Sequence, residues 1–197
     1  MKKIKVGING FGRIGRQLTK LIVENNDLDL VAINDLSDSK TSSHLFEFDS
    51  SYGQYQGKVN FNEKEIIIKD KVINKISEKD PSKINWSDFG VEIVIESTGI
   101  FTKKSDAIKH LNGSVKKVII SAPATNEDIT IVMGVNDHIY DPEKHNVVSN
   151  ASCTTNCVAP MIKVLNDEFG ISDALMSTIH SFTNAQSVLD QPHSDLR

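Results

Sequence analysis

Two short stretches of this chain carry residue types and spacings suited to chemistry. In Ala151-Ser152-Cys153-Thr154-Thr155-Asn156-Cys157 a cysteine stands where a strand-like run, Asn146 to Asn150, gives way to a helix-like one beginning near Thr154. Free backbone N–H groups and the positive end of the macrodipole at a helix start both favour thiolate over thiol, so Cys153 is a candidate nucleophile. The heptapeptide alone leaves a second reading open, a small buried core residue, because free cysteines are among the most buried residue types. Cys157, one helical turn further on, reads as a packed small residue. The second stretch is Gly10-Phe11-Gly12-Arg13-Ile14-Gly15, a G-x-G-x-x-G pattern placed after an apolar run and at the start of helical spacing. There Gly10 permits the tight turn, Gly12 allows backbone approach to a pyrophosphate and Gly15 allows close helix–strand packing, with the helix start facing the phosphates. Asp35 closes the next apolar run 20 residues after Gly15, where an acidic side chain meets the hydroxyls of an adenosine ribose. Leu36 follows it, with no adjacent arginine for a 2′-phosphate, which favours NAD over NADP. A strand-terminating turn residue is the alternative reading of Asp35.

The elements that must position these residues can be read from apolar spacing. Ile4 to Asn9 and Leu28 to Asn34 are short apolar runs, and Arg13 to Glu24 between them has helical spacing through Ile14, Leu18, Leu21 and Ile22, which makes a βαβ unit. Alternation in Val59, Phe61, Ile66, Ile68, Val72 and Ile76 predicts antiparallel strands between about Lys58 and Ile76. Further strands are expected at Glu92 to Ser97, Lys117 to Ser121, Thr130 to Val135 and Asn146 to Ser149, with a helix at Ser105 to Leu111. The fold class that follows is α/β, a Rossmann-type doubly wound and mostly parallel sheet over residues 1–150. Residues 151–197 read as the start of a second, α+β domain. Thr154 to Phe169 has helical spacing through Val158, Ile162, Leu165 and Phe169, stopped by Gly170, and Ala174 to Phe182 reads as a strand.

Composition narrows the function classes. The 197 residues carry 22 Lys and Arg against 26 Asp and Glu, a net charge of −4, with lysines scattered rather than clustered, so neither nucleic acid nor an anionic membrane is an expected partner. The N-terminal Met1-Lys2-Lys3-Ile4-Lys5 lacks the apolar core of a signal peptide, and no run reaches the roughly 18 to 20 apolar residues of a membrane span. Two cysteines four residues apart form neither a disulfide framework nor a metal site, which suits a reducing cytoplasm. His44, His110, His138, His145 and His193 lack metal-ligand spacing and are expected at the surface, and no metal is implied.

Together with Asn9 ahead of the glycine motif, the cysteine heptapeptide and His180-Ser181-Phe182-Thr183-Asn184, the chain resembles phosphorylating glyceraldehyde-3-phosphate dehydrogenases over essentially its whole length. Asn34-Asp35-Leu36, Tyr52-Gly53, Glu96-Ser97-Thr98-Gly99 and Leu189-Asp190-Gln191-Pro192-His193 support the resemblance. By motif position it implies that Cys153 is the nucleophile and His180 its base. Without it, His180 would read as a satisfied histidine at a strand end. The resemblance also implies that Ser152, Thr154 and Thr183 serve the substrate and inorganic phosphate sites, although hydroxyls beside a helix start are more often caps. Asn9, Gly10, Phe11, Gly12, Arg13, Ile14, Gly15 and Asp35 are implied as cofactor residues, with Thr98, Gly99, Phe101 and Ser121 nearer the nicotinamide. The implied reaction is NAD-dependent oxidation of glyceraldehyde 3-phosphate to 1,3-bisphosphoglycerate through a cysteine thiohemiacetal and thioester, in glycolysis. A homotetramer is the family's assembly.

Ile100 and Gln191 depart from the family's commoner residues, a basic and an apolar one. The chain also stops at Arg197, inside the family's loop after His193, so most of a catalytic domain is expected to lie beyond it, including a further arginine, a threonine-glycine loop and a late asparagine. Two alternatives stay open at this point: a nucleotide-binding fragment without turnover, and erythrose-4-phosphate dehydrogenase, which shares fold and nucleophile.

Overall fold

A computed structural model describes residues 2–183. Its elements run β1 (Ile4–Asn9), α1 (Arg13–Glu24), β2 (Leu28–Asn34), α2 (Ser39–Glu47), β3 (Phe48–Asp49), β4 (Gly53–Gln54), β5 (Val59–Phe61), β6 (Glu65–Ile68), β7 (Lys71–Ile76), β8 (Ile93–Glu96), α3 (Lys104–Ala107), β9 (Lys117–Ile120), β10 (Ile129–Thr130), β11 (Val147–Ser149) and α4 (Cys153–Phe169). Nine of the strands form one sheet in the order β10-β11-β9-β8-β1-β2-β7-β6-β5, and β3 pairs with β4 separately. From β10 to β7 every pairing is parallel, while β6 pairs antiparallel with both β7 and β5, as the alternating pattern predicts. The chain winds outward from β1 through β2 and then returns to β1's other side at β8. The crevice at the carboxyl ends of β1 and β8 is therefore the topological switch point, where open α/β sheets bind ligands.

Two apolar layers cover the sheet. On one face Val6 and Ile8 of β1 pack with Ile22 and Val23 of α1, Leu30, Ile33 and Phe46. On the other, Ala32, Val94, Val118, Ile120 and Val147 pack with Trp86, Val91 and Ala107. Successive strand side chains point to opposite faces, so Gly7, between Val6 and Ile8, faces the second layer. A Cβ at Gly7 would come within 2.7 Å of the Trp86 ring, and only the bare backbone leaves room for the indole.

Several expectations need correction. The strand expected over Thr130 to Val135 is only Ile129–Thr130, because Asn136 takes over beyond it: its Oδ1 accepts from the Val132 amide at 2.8 Å and its Nδ2 donates to the Thr130 carbonyl at 2.9 Å. The helix expected at Ser105 to Leu111 starts one residue earlier and tightens into a 3₁₀ turn at Ile108–His110. Ala174 to Phe182 forms no strand. These residues are exposed, and among the described residues no strand pairs with them to satisfy a ladder. His110, expected at the surface, is fully buried at 0% exposure, because the 3₁₀ turn aims it at Trp86 and Glu96. His145 is half-buried, its Nδ1 accepting from the Asp141 amide at 2.9 Å, whereas His44 and His138 are exposed. Cys157 is exposed rather than packed, since no described layer covers α4. His193 and Asn184 lie outside the described residues. No helix among the described residues is long and apolar enough to cross a membrane.

Candidate functional site

The strands β1, β2, β8, β9 and β11 run parallel, so their carboxyl ends open on the same edge of the sheet, and the predicted site segments that follow them leave from that edge, whereas His180 and Thr183 come after α4. The β1–α1 turn comes first. Gly10 has φ of +95°, a left-handed conformation that favours glycine, and a Cβ there would meet the Thr98 amide nitrogen at 2.7 Å. Gly12 has open space where a Cβ would project, and as the N-cap of α1 it contributes no capping side chain. The turn thus presents bare backbone and a helix start to the crevice, as a pyrophosphate requires.

Asp35 stands at the end of β2, half-buried. Its Oδ2 accepts from the Phe11 amide at 2.7 Å and its Oδ1 accepts from the Ser37 amide at 2.9 Å and from the Ser37 hydroxyl. Burial by itself would raise its pKa, but these bonds, with the Lys75 ammonium nearby, outweigh burial and hold the carboxyl below its ordinary value. A carboxylate has about four acceptor positions, and three protein donors leave one for a further hydroxyl. The crevice beside it is lined by Asn9, Gly10, Gly12, Asp35, Thr98 and Phe101 from the predicted set. Sequence reasoning missed the segment Glu78 to Pro81 and Lys109, which line the same crevice, because loop residues carry no periodic signal. The remaining predicted cofactor residues work otherwise. Phe11's ring is 3% exposed and stacks on Phe46 at 6.1 Å, so only its backbone faces Asp35. Arg13 is exposed and donates to Ser51 Oγ at 3.3 Å, Ile14 is exposed, and Gly15 packs under the Gly10 carbonyl. Ser121 donates from its amide and hydroxyl to the Glu96 carbonyl at 3.0 and 3.2 Å, and Gly99 turns the chain at φ +73° outside the lining.

At the end of β11 the chain turns sharply into α4. Ala151, 6% exposed, holds φ of +58°, a conformation that costs a non-glycine residue about 1 kcal/mol or more. The turn is clamped by Asn156, whose Nδ2 donates to the carbonyls of Asn150 and Ser152 at 2.8 and 2.9 Å. That clamp was not anticipated, although an asparagine in the first turn of a helix is a recognisable signal for it. Ser152 is the N-cap, its Oγ accepting from the Thr155 amide at 2.9 Å, which realises the capping alternative weighed for it. Cys153 is the first helical residue and is exposed, and its Sγ lies 3.1 Å from His180 Nε2. His180 Nδ1 donates to the Ser181 carbonyl at 2.5 Å, which leaves Nε2 to face the sulfur. The hydrogen bond from His180 is the leading cause that lowers the Cys153 pKa; desolvation opposes it, and the Thr154 amide adds a further lowering. The His180 pKa is raised, first by its bond to Ser181 and then by Cys153. Thr183, at the end of the described residues, is exposed. Among the described residues no group of three or more His, Cys, Asp or Glu is arranged to hold a metal ion.

Two sequence models match in chain order: glyceraldehyde 3-phosphate dehydrogenase, NAD binding domain, over residues 4–104, and glyceraldehyde 3-phosphate dehydrogenase, C-terminal domain, over residues 152–197. The chain belongs to the glyceraldehyde-3-phosphate dehydrogenase family. It is 60% identical over 193 residues to glyceraldehyde-3-phosphate dehydrogenase 1 of Bacillus cereus, an alignment covering 98% of this chain and 58% of that protein. The corresponding enzymes of Geobacillus stearothermophilus and Thermotoga maritima are 55% and 51% identical, again over 98% of this chain and 58% of theirs. The chain therefore spans about 58% of the length of these curated relatives.

The Cys153 pKa moves down and the His180 pKa moves up, and both directions favour a thiolate facing an imidazolium. A depressed cysteine pKa keeps the nucleophilic form as pH falls, until the lowered value is crossed. Alkylation of Cys153 by iodoacetamide, followed by peptide mapping from pH 5 to 9, is expected to have its midpoint below the ordinary thiol value of about 8.5. His180→Ala should return the midpoint toward that value. A Cys153 midpoint that His180→Ala does not move would sink the pairing.

Proposed function

We propose that the protein carrying this chain is an NAD-dependent, phosphorylating glyceraldehyde-3-phosphate dehydrogenase of the cytoplasm, working in glycolysis. Residues 1–150 form its NAD-binding domain, and residues 151–197 begin its catalytic domain. The observation that carries this reading is the Cys153–His180 pair at 3.1 Å, on the same sheet edge as the glycine turn and Asp35. NAD fits the crevice: Gly12 leaves open space for the pyrophosphate, and the spare acceptor of Asp35 suits a ribose hydroxyl. Bound NAD supplies the hydride acceptor. Leu36, 63% exposed, offers no cation for a 2′-phosphate.

The chain's own residues account for the rest of the chemistry. Cys153 Sγ attacks the aldehyde carbon, and the imidazolium at His180 Nε2 gives its proton to the carbonyl oxygen, forming the thiohemiacetal. The imidazole then takes that hydroxyl proton back as the carbon is oxidised to the thioester. A phosphate oxygen attacks the thioester carbon, the C–S bond breaks, and the acyl phosphate leaves Cys153 as thiolate. Ser152, Thr154 and Thr183 are the candidate phosphate donors. Ser152 Oγ accepts from the Thr155 amide and shares a second bond with Thr155 Oγ1 at 2.7 Å, so its proton reaches phosphate when Thr155 Oγ1 is the donor in that pair. The substrate partners are therefore glyceraldehyde 3-phosphate and inorganic phosphate, and the assembly is the family's homotetramer.

The full-length protein should reduce NAD only when aldehyde and inorganic phosphate are both present, and faster with glyceraldehyde 3-phosphate than with erythrose 4-phosphate. A reversed aldehyde preference would move the assignment to erythrose-4-phosphate dehydrogenase, and binding without turnover would leave a nucleotide-binding protein. Asp35→Ala removes a charged acceptor and strands the Phe11 amide. Calorimetry should show NAD bound about tenfold to a hundredfold more weakly, the range for a hydrogen bond to a charged group, with the preference over NADP reduced. Unchanged NAD affinity would remove Asp35 from the site.

A further inference from the structure

Beneath the crevice lies a polar network that the chemistry above leaves unused. Trp86 and His110 are 0% exposed, Glu96 1% and Asn9 2%, depths at which a carboxyl group is tolerated only when its hydrogen bonds are complete. The direction of each bond follows from groups that have no choice. Trp86 Nε1 can only donate, so His110 Nδ1, 3.1 Å away, accepts. The ring's proton then sits on Nε2, which donates to Glu96 Oε2 at 3.1 Å. From the other side, the Glu78 amide donates to Asn34 Oδ1 and the Glu78 carbonyl accepts from Asn34 Nδ2, both at 2.8 Å, which orients that side chain. Asn34 Nδ2 also donates to Asn9 Oδ1 at 2.7 Å, so Asn9 turns its Nδ2 to Glu96 Oε2 at 2.5 Å. Asn9 Nδ2 and His110 Nε2, 3.4 Å apart, thus share one acceptor. The remaining oxygen, Oε1, accepts from the Thr98 amide at 2.8 Å and the Thr98 hydroxyl at 2.5 Å.

Four donors therefore converge on one carboxylate, two on each oxygen. We propose that Glu96 is a positioning residue that sets Asn9 and the Ser97–Gly99 turn of the crevice, and that Trp86 and His110 hold it in that one orientation. Both segments it holds form the crevice wall: Asn9 precedes the Gly10 turn, and Thr98 Oγ1 in turn accepts from the Ile100 amide at 3.1 Å. Ser97 Oγ ties the two together by donating to the Gly10 carbonyl at 2.7 Å. The consequence for cofactor affinity rests on the dinucleotide reading above, while the ordering of the turn does not.

An acceptor-only group is essential to this geometry, because a glutamine at 96 faces donors with its own NH₂ in either amide orientation. In one it opposes Asn9 and His110, and in the other the Thr98 amide. In full-length protein, Glu96→Gln is expected to weaken NAD binding about tenfold or more, the size of one buried donor left unsatisfied, and to speed hydrogen exchange at the Thr98 amide by a similar factor. Trp86→Phe, at a residue outside the crevice lining, should do the same to a smaller extent, about threefold. Val118→Ala, a truncation in the same apolar layer, controls for stability and should lower the melting temperature without moving either readout. NAD affinity within about twofold of wild type in Glu96→Gln together with unchanged Thr98 exchange would overturn the proposal, as would equal effects from Val118→Ala. Should Glu96→Gln fail to fold, Trp86→Phe against Val118→Ala decides the matter by the same two readouts. If Thr98 exchange responds but wild type binds no NAD, the positioning role stands and the dinucleotide reading falls.

Discussion

Cys153→Ser is expected to lower the rate of NADH formation by at least about three orders of magnitude, the scale on which loss of a covalent nucleophile is felt. A serine hydroxyl is far less acidic than a thiol, so the hydrogen bond from His180 that lowers the Cys153 pKa and favours the nucleophilic thiolate leaves a hydroxyl far above neutrality. The substitution keeps the size of the side chain and the strained turn at Ala151, so cofactor binding should be unaffected. Calorimetry with NAD supplies that control beside the turnover assay. A Cys153→Ser protein turning over within about tenfold of wild type would mean that another group attacks the aldehyde. The exposed Cys157, one turn along α4, would then be the group to replace.

The parts of this site that depend on local geometry were legible in the chain, and those that depend on distant contacts were not. The β1–α1–β2 unit appears with the bounds expected from apolar spacing, since each of its elements buries a face wide enough to leave a clear period. The helix start at Cys153 was legible to within one residue for a different reason, the capping preference of Ser152. By contrast α2 (Ser39–Glu47) escaped notice, because its buried residues are mostly serines, Ser39, Ser42 and Ser43 beside Phe46, and polar side chains mask the period. The burial of His110 was equally invisible, since it depends on Trp86 and Glu96, which lie 24 and 14 residues away in sequence. A strand at Ala174 to Phe182 was suggested by composition alone. Composition supplies apolar side chains but not the neighbouring ladder that would make them a strand.

The cofactor half of the site is built from groups that hold one another, whereas the cysteine half stands on a helix with no buried residue. Met161, Val164, Leu165 and Phe169 of α4 are all exposed, at 49% to 83%, so the described residues supply a packed frame for Asp35 and Thr98 but none around Cys153 beyond its own turn. Asn156 orients the turn that carries Cys153, and the Ser181 carbonyl orients the His180 ring, both through local bonds. Substitutions in the sheet should act on cofactor affinity and leave cysteine reactivity alone. Iodoacetamide kinetics can verify that separation in the Glu96 and Asp35 variants.

Gly15→Ala should strongly weaken NAD binding, and it tests whether the crevice is formed by the turn rather than by the side chains around it. A Cβ on Gly15 overlaps the Gly10 carbonyl oxygen and comes within 3.1 Å of Ser97 Oγ. The carbonyl is backbone, held where the Ser97 hydroxyl donates to it at 2.7 Å, so it has no rotamer by which to escape. Either α1 must lift from β1, which opens the Ile22 and Val23 layer beneath it, or the Gly10 peptide must rotate and take the φ of +95° with it. Both routes displace Gly12 from the crevice wall, and overpacking of this kind costs typically about 1 to 3 kcal/mol in stability before any ligand contact is lost. The expected outcome is a folded protein with a lowered melting temperature and NAD affinity reduced by at least about a hundredfold, equivalent to about 2.7 kcal/mol. Gly12→Ala provides the contrast, because its Cβ projects into open space. That variant should keep the melting temperature near wild type and still lose affinity, since the added methyl occupies the room left for the pyrophosphate. If Gly15→Ala bound NAD normally, or Gly12→Ala unfolded while Gly15→Ala did not, the close helix–strand approach at Gly15 would not be what shapes the cofactor turn.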